Sequence, residues 1–126
     1  MATRIARVTI SVNDLVPALA LYRDVIGLDE LYTIEGLSML TTDKNAPAGA
    51  ATEVLLHQRT PTPGDAGVAA SFTVGDVDAA TAAAVEAGAA VVDEPADQEW
   101  GERQSVLRDV DGNILCLVSP LVPPLS

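Results

Sequence analysis

Residues 99–120, EWGERQSVLRDVDGNILCLVSP, carry the clearest structural signal in the chain. Residues 103–108 are extended and partly alternating, residues 111–113 (Asp-Gly-Asn) tolerate a positive φ, and residues 114–118 form an apolar run. This pattern predicts a β-hairpin. The only tryptophan of the chain, Trp100, lies at the mouth of the hairpin, and the only cysteine, Cys116, lies on its second strand. A pocket is therefore expected here.

The N-terminal part of the chain predicts a β-α-β-β-β unit. Residues 5–12 alternate between apolar and polar side chains, as in a half-buried strand. Asp14 then provides a helix N-cap, and Gly27 ends the helix. Further strands are predicted on either side of Gly36 and over residues 53–58, with a loop over residues 41–51.

The same pattern returns in the second half of the chain. Residues 74–77 (Val-Gly-Asp-Val) match residues 12–15 (Val-Asn-Asp-Leu) at an offset of 62, and Gly88 matches Gly27 at an offset of 61. A repeat of this size seen twice indicates a duplicated unit. We therefore predict an α+β fold of two tandem βαβββ modules that form a U-shaped mixed-sheet cleft, with the helices outside. The predicted single domain, 1–126, comprises module 1 (4–58), a linker (59–67), module 2 (68–119) and a C-terminal tail (120–126).

The cleft is expected where the first strands turn their polar faces inward. Thr9, between Arg7 and Ser11, would line one side, and Ser71, between Ala69 and Thr73, the other. These faces could also simply be solvated, as in many antiparallel sheets. The cleft is favoured because the last strands of both modules are apolar on both faces and need cover on each side.

The composition excludes several classes of function. The chain carries 18 acidic and 7 basic residues and a formal charge of −11, which argues against binding nucleic acid or an anionic membrane surface. It suits a cationic ligand or partner, or serves only solubility. A single cysteine excludes an intramolecular disulfide, and the first residues lack the apolar run of a signal peptide. We expect a soluble, cytoplasmic protein.

Three segments resemble the vicinal oxygen chelate superfamily, which includes glyoxalase I, bleomycin-resistance proteins and extradiol dioxygenases. They are LYRDVIGL (21–28), SFTVGDVDAA (71–80) and WGERQSVLRDVDGNILCLV (100–118). The resemblance implies two βαβββ modules around a cleft that is frequently completed in a homodimer. A homodimer is therefore expected.

The resemblance also implies where catalytic members hold a metal ion. The first-strand positions fall at Arg7 and Ala69, and the last-strand positions at Leu55 and Cys116. Of these four residues only Cys116 could be a ligand, because a divalent ion needs several converging O, N or S donors. The chain is thus most similar to metal-free members that sequester antibiotics or other bulky compounds. We expect no metal, no cofactor and no catalytic residues.

The predicted function is the binding of a small organic ligand, cationic or aromatic, in the cleft. Trp100 would stack on the ligand, or alternatively plug the barrel end or a dimer interface. Arg7 would anchor an anionic or carbonyl group, or pair with a carboxylate from the opposite module. The predicted ligand-binding residues are Arg7, Thr9, Leu55, Ser71, Trp100, Arg103, Ser105 and Cys116.

Two other functions stay open at the sequence level. One is a metal-dependent lyase or dioxygenase with non-standard ligands, for which Glu53, His57 and Cys116 are the best candidates. The other is a scaffold that recruits a basic protein through the negative charge.

Overall fold

The computed structural model describes residues 5–47, 49–64 and 67–121. Three parts of the prediction fall outside these ranges: residues 4 and 48 of the first module, residues 65 and 66 of the linker, and residues 122–126 of the tail. The chain divides into two compact units, Met1–Thr62 and Pro63–Ser126. The division falls within residues 59–67, the segment predicted as the linker.

Each unit contains one helical segment and one four-stranded mixed sheet, which confirms the predicted α+β class and the βαβββ order. The first unit comprises β1 (Arg7–Val12), α1 (Leu15–Leu19) with a π-helical continuation (Ala20–Val25), β2 (Asp29–Ile34), β3 (Leu37–Thr41) and β4 (Glu53–Gln58). The second comprises β5 (Ala70–Thr73), α2 (Val77–Glu86), β6 (Ala90–Asp97), β7 (Glu102–Arg108) and β8 (Ile114–Pro120).

The two helices begin as predicted and continue differently. The carboxylate of Asp14 accepts a hydrogen bond from the backbone N–H of Val16, and that of Asp76 accepts one from Ala79. Both aspartates thus satisfy a backbone donor that the first helical turn leaves free. The first helix widens after Leu19 into a π-helix, whereas the sequence predicted one uniform α-helix.

The two sheets have equivalent strand orders, β1-β4-β3-β2 and β5-β8-β7-β6. The first and last strands of each unit run parallel, which places Thr9 opposite Leu55 and Ser71 opposite Cys116. The second pair lies 62 and 61 positions after the first, so the structural register repeats the sequence offset. Directly opposite residues share a face of a sheet, and the regular pairing of β1 with β4 and of β5 and β7 with β8 therefore assigns the paired residues of these strands to one of two faces.

One face of each sheet is covered by the helix of its own unit. In the first unit Arg23 of the π-helix donates to Glu30, which accepts from Thr33, and Thr33 contacts Ser38 on β3. Apolar side chains fill the space around these contacts and form the core of each unit. The most deeply buried are Val12, Tyr22, Leu40, Val54 and Leu56 in the first unit, and Val77, Ala84, Leu107, Leu115 and Leu117 in the second.

The last strands are buried to different degrees. Four consecutive residues of β8, Leu115 to Val118, are all buried, so both faces of that strand are covered, as its apolar sequence predicts. On β4 the helix-side residues Val54 and Leu56 are buried, while Leu55 is only half-buried.

The turn of the hairpin is organised by Asp109. Its carboxylate, 5% exposed, accepts hydrogen bonds from the backbone N–H groups of Asp111 and Asn113, each at 2.9 Å. Gly112 has a φ of +90°, and no non-glycine residue in the described ranges has a positive φ. Of the three residues predicted to tolerate a positive φ, 111–113, only Gly112 adopts one. The neighbouring residues Asp111 and Asn113 are held by their hydrogen bonds to Asp109.

Candidate functional site

We call the face of each sheet opposite its helix the open face. In the first unit it carries Arg7, Thr9 and Leu55, together with Glu53 and His57 on β4. Thr9 is exposed and Leu55 is half-buried. Three of the eight predicted ligand-binding residues therefore lie in one group on this face.

Arg7 forms an ion pair on the open face. Its Nε atom lies 3.6 Å from Oε1 of Glu53, with side-chain exposures of 49% and 36%. The sequence interpretation placed the partner carboxylate in the opposite module, and this ion pair instead joins neighbouring strands of one unit. The pair is long and solvated, so it contributes little stability, and both groups remain accessible to a ligand.

In the second unit the open face carries Ser71 and Cys116. Ser71 is exposed, and the free thiol of Cys116 is buried, between Ser71 on β5 and Val106 on β7 in the sheet register. Leu55 and Cys116 thus occupy corresponding positions in the two units, each opposite a hydroxyl-bearing residue of the first strand.

Arg103 lies on the other face of the sheet. Its guanidinium donates to both carboxylate oxygens of Asp78 on α2, at 2.8 and 3.0 Å, and to Asp97 on β6 at 2.9 Å. Its hydrogen bonds hold the pKa of Asp78 below its ordinary value, and those of Asp78 and Asp97 raise the pKa of Arg103. The guanidinium of Arg103 is thus hydrogen-bonded to α2 and to β6, so Arg103 does not belong to the open-face group.

Ser105 also faces the helix. Its side chain is 0% exposed, and its hydroxyl lies 2.7 Å from the hydroxyl of Thr81 on α2. Thr81 in turn donates to the Val77 carbonyl. Ser105 is therefore part of the helix–sheet contact, and a ligand on the open face would not touch it.

Trp100 lies on a short turn that is closed by backbone hydrogen bonds. Backbone hydrogen bonds join Gln98 to Glu102 and Gly101 to Gln98, and Gly101 adopts a φ of +93°. The indole N–H donates to Glu102 at 2.8 Å, while the side chain is 65% exposed. The polar edge of the ring is thus satisfied and the aromatic faces are available. This exposure does not fit the role of a core plug.

The residues at the implied metal positions do not fit a divalent ion. Arg7, Leu55 and Ala69 carry no suitable ligand atom, and Cys116 is the only donor among the four implied positions. Glu53 and His57 share a strand face, but four strand residues span about 13 Å. Within residues 5–47, 49–64 and 67–121 no three His, Cys, Asp or Glu side chains are grouped closely enough to hold a metal ion.

The structure adds a feature that the sequence analysis missed. A cavity of about 250 Å³ lies beside the Arg7–Glu53 pair, between the end of β3, the start of β4 and the loop that joins them. The composition of that loop indicated only an irregular segment. No pattern within a single segment could have revealed the cavity, because it depends on the β3–β4 pairing, which places Thr41 opposite Glu53.

Comparison with known protein families shows the superfamily to which the chain belongs. The profile of the Glyoxalase/Bleomycin resistance protein/Dioxygenase superfamily matches residues 4–117. The chain belongs to this superfamily. The family likeness inferred from the three sequence segments is therefore confirmed.

Solved structures of the superfamily share the fold. A glyoxalase/bleomycin resistance protein/dioxygenase family enzyme from Burkholderia phytofirmans aligns with a TM-score of 0.73 and 21% identity, over 94% of this chain and 100% of that chain. A glyoxalase-related enzyme from Fulvimarina pelagi gives 0.77 and 16%, over 99% and 94%. A superfamily member from Sphaerobacter thermophilus gives 0.62 and 27%, over 94% and 98%.

No curated protein matches the chain. In the part of the chain that the structure describes, no helix has the length and apolar character needed to cross a membrane.

Proposed function

We propose that this superfamily member is a binding protein that sequesters an organic ligand carrying a cationic or aromatic group, without a catalytic metal. The observation that carries the proposal is the composition of the open faces. Thr9, Leu55 and Ser71 offer hydroxyl and apolar surface there, and such groups suit contact with an organic molecule. Arg7, Leu55 and Cys116, at positions where metal-dependent members need ligands, do not form a ligand set.

The environment of Trp100 supports the cationic or aromatic character of the ligand. Its exposed ring is flanked in sequence by Glu99 and hydrogen-bonded to Glu102. An aromatic face attracts organic cations, and neighbouring carboxylates strengthen that attraction. A planar ligand could stack on the same face.

The fluorescence of the protein provides a direct assay, since Trp100 is the only tryptophan. A cationic glycopeptide, a planar aromatic antibiotic and an aliphatic amine of similar charge would be titrated against the full chain. We expect the first two to change the Trp100 emission and to raise the melting temperature. If neither produces saturable quenching or thermal stabilisation, this proposal loses its support.

Matched variants distinguish the open face from the helix-covered face. Ser71→Ala and Arg7→Gln alter the open face, whereas Ser105→Ala and Arg103→Gln make the same chemical changes on the covered face. We expect Ser71→Ala to weaken ligand binding and Arg7→Gln, which leaves Glu53 unpaired, to strengthen binding of a cationic ligand. The second pair should leave binding unchanged in the folded protein. Equal effects in both pairs would contradict the assignment of the site to the open face.

The metal-free part of the proposal has its own test. The untagged protein would be purified without chelator, offered Ni²⁺, Zn²⁺, Mn²⁺ and Fe²⁺, and its bound metal measured. We expect substoichiometric metal, because the donor groups do not converge. One tightly bound ion per chain would contradict the proposal and redirect the search to lyase and dioxygenase substrates. Sedimentation of the same sample would test the proposed homodimer.

A further inference from the structure

The cavity in the first unit combines apolar walls with charges of both signs. Leu31, Ala46, Pro47 and Ala51 contribute apolar surface, while Asp43, Lys44 and Glu53 contribute charged groups. All of these residues belong to one unit. They come from β2, from the loop between β3 and β4, and from the start of β4. The polar lining is completed by Thr41.

The loop that closes the cavity is held by its own hydrogen bonds. The backbone of Thr42 is bonded to that of Thr52 at 3.0 Å, which closes the base of the loop. The hydroxyl of Thr52 donates to the Ile5 carbonyl, and the N–H of Lys44 donates to Asp29. These bonds tie the loop to the segment before β1 and to the start of β2.

Two polar groups of the lining have unused bonding capacity. Thr41 is 3% exposed and accepts a hydrogen bond from the Asp43 N–H, but its hydroxyl proton has no acceptor in the described residues. Lys44 is the only lysine of the chain, and its ammonium has no ion-pair partner in residues 5–47, 49–64 and 67–121. Lys44 is solvent-exposed, so its ammonium is available for an anionic group at the cavity.

The size of the cavity limits the ligand. A volume of about 250 Å³ corresponds to roughly eight water molecules and lies just below the range of pockets that hold drug-sized compounds. Bulky aromatic cations of the kind proposed for the open faces do not fit. A molecule of about ten non-hydrogen atoms does.

We infer that this cavity binds a small dipolar molecule with an ammonium group, a carboxylate and a short apolar chain, the chemistry of an aliphatic α-amino acid. The ammonium would lie between the carboxylates of Asp43 and Glu53, and the carboxylate would accept from Lys44 and from the Thr41 hydroxyl. The apolar chain would pack on Leu31. This inference does not depend on the function proposed for the open faces.

Three probes separate the contributions of the two charges. Leucine carries both, 3-methylbutylamine carries only the cation, and 4-methylpentanoate carries only the anion. Binding to the full chain would be followed by amide chemical-shift changes up to about 10 mM probe. We expect leucine to shift amides of residues 41–53 in a saturable manner and each singly charged probe to bind about tenfold more weakly, because each loses a charge-assisted bond.

Variants of the lining provide the control. Lys44→Met and Thr41→Val should each weaken leucine binding, the former by about tenfold, and Thr41→Ser should restore it by returning the hydroxyl. Glu35→Gln, which removes a carboxylate from the same unit outside the cavity, should have no effect. No binding of leucine, equal binding of the amine alone, or equal affinity of Lys44→Met would overturn the inference. A Trp100 variant should bind leucine normally, which keeps this test separate from that of the open faces.

Discussion

The hydrogen bond between Thr81 and Ser105 gives a quantitative test of the reassignment of Ser105. The Thr81 hydroxyl has one proton, and it donates that proton to the Val77 carbonyl at 2.6 Å. The Ser105 hydroxyl, 2.7 Å away, must therefore donate to the Thr81 oxygen. Both side chains are buried, at 4% and 0% exposure. The two residues are thus unequal partners.

This inequality predicts different costs for the two single changes. Ser105→Ala removes the donor of this hydrogen bond, and the Thr81 proton keeps its acceptor, the Val77 carbonyl. The free energy of unfolding should therefore fall by about 1 kcal/mol. Thr81→Val leaves the fully buried Ser105 hydroxyl without a partner and should cost about 2 kcal/mol. The double variant removes both hydroxyls, and its cost should be about 1 to 1.5 kcal/mol rather than the sum of about 3 kcal/mol.

Guanidinium denaturation followed by far-ultraviolet circular dichroism would measure all four proteins. The inferred donor direction is refuted if Ser105→Ala costs more than Thr81→Val. The role of the pair in docking α2 is refuted if the two costs are additive, since additivity means that the hydroxyls do not interact. Ligand affinity, measured in the folded Ser105→Ala protein, should equal that of the unchanged chain.

Three further outcomes follow from the geometry. The pKa of Asp78 is lowered by the hydrogen bond from Arg103. This contact therefore stabilises the fold above the ordinary carboxyl pKa, and its contribution is lost as the pH falls through the lowered pKa. The free energy of unfolding should consequently depend less on pH between about pH 5 and pH 2 in Arg103→Gln than in the unchanged chain. Gly88 has a φ of +105°, so Gly88→Ala should lower the free energy of unfolding by about 1 to 2 kcal/mol, whereas Gly75→Ala, with open space around it and no positive φ, should be nearly neutral in the same denaturation assay. Cys116 is 9% exposed, so a bulky thiol reagent should modify it far more slowly in the native than in the denatured protein, and equal rates would contradict its burial.

The fold was predictable because its signals are local and occur twice. Asp14 and Asp76 each begin a helix, and the apolar periodicity changes from helix to strand beyond Gly27 and Gly88. Each signal depends on neighbouring residues only, and the repeat makes them mutually consistent. The widening of the first helix into a π-helix has no comparable local signal and was not predicted.

The faces of β7 could not be predicted from alternation alone. Arg103 and Ser105 lie on one face, and Gln104 and Arg108 on the other, so both faces read as polar. A period of two shows which residues share a face and leaves open which face meets the helix. The deciding partners are Asp78 and Thr81, the polar side chains within the first half of the alanine-rich helix α2. Their spacing of three could have indicated that α2 carries a polar stripe toward the sheet.

The cavity was hidden for a different reason. Its charged residues are spread over residues 43–53, and nothing in their order suggests a site. They come together because β3 and β4 pair with Thr41 opposite Glu53, which brings both ends of the intervening loop to the same end of these two strands. Strand pairing is a non-local contact, so residue patterns within a single segment do not report it.

The net charge is divided unequally between the two units. Residues 1–62 contain five basic and seven acidic residues, whereas residues 63–126 contain two and eleven, so the second half carries −9 of the net −11. Both basic residues of that half are engaged, Arg103 with Asp78 and Asp97, and Arg108 with the Gly112 carbonyl.

An organic cation approaching Trp100 therefore meets an uncompensated negative field, which physiological salt screens over about 8 Å. A dipolar molecule in the cavity of the first unit meets nearly balanced charge and gains little from long-range attraction. Raising the ionic strength should consequently weaken cation binding at Trp100 while leaving amino-acid binding in the cavity almost unchanged. Equal salt dependence of the two affinities would contradict this expectation.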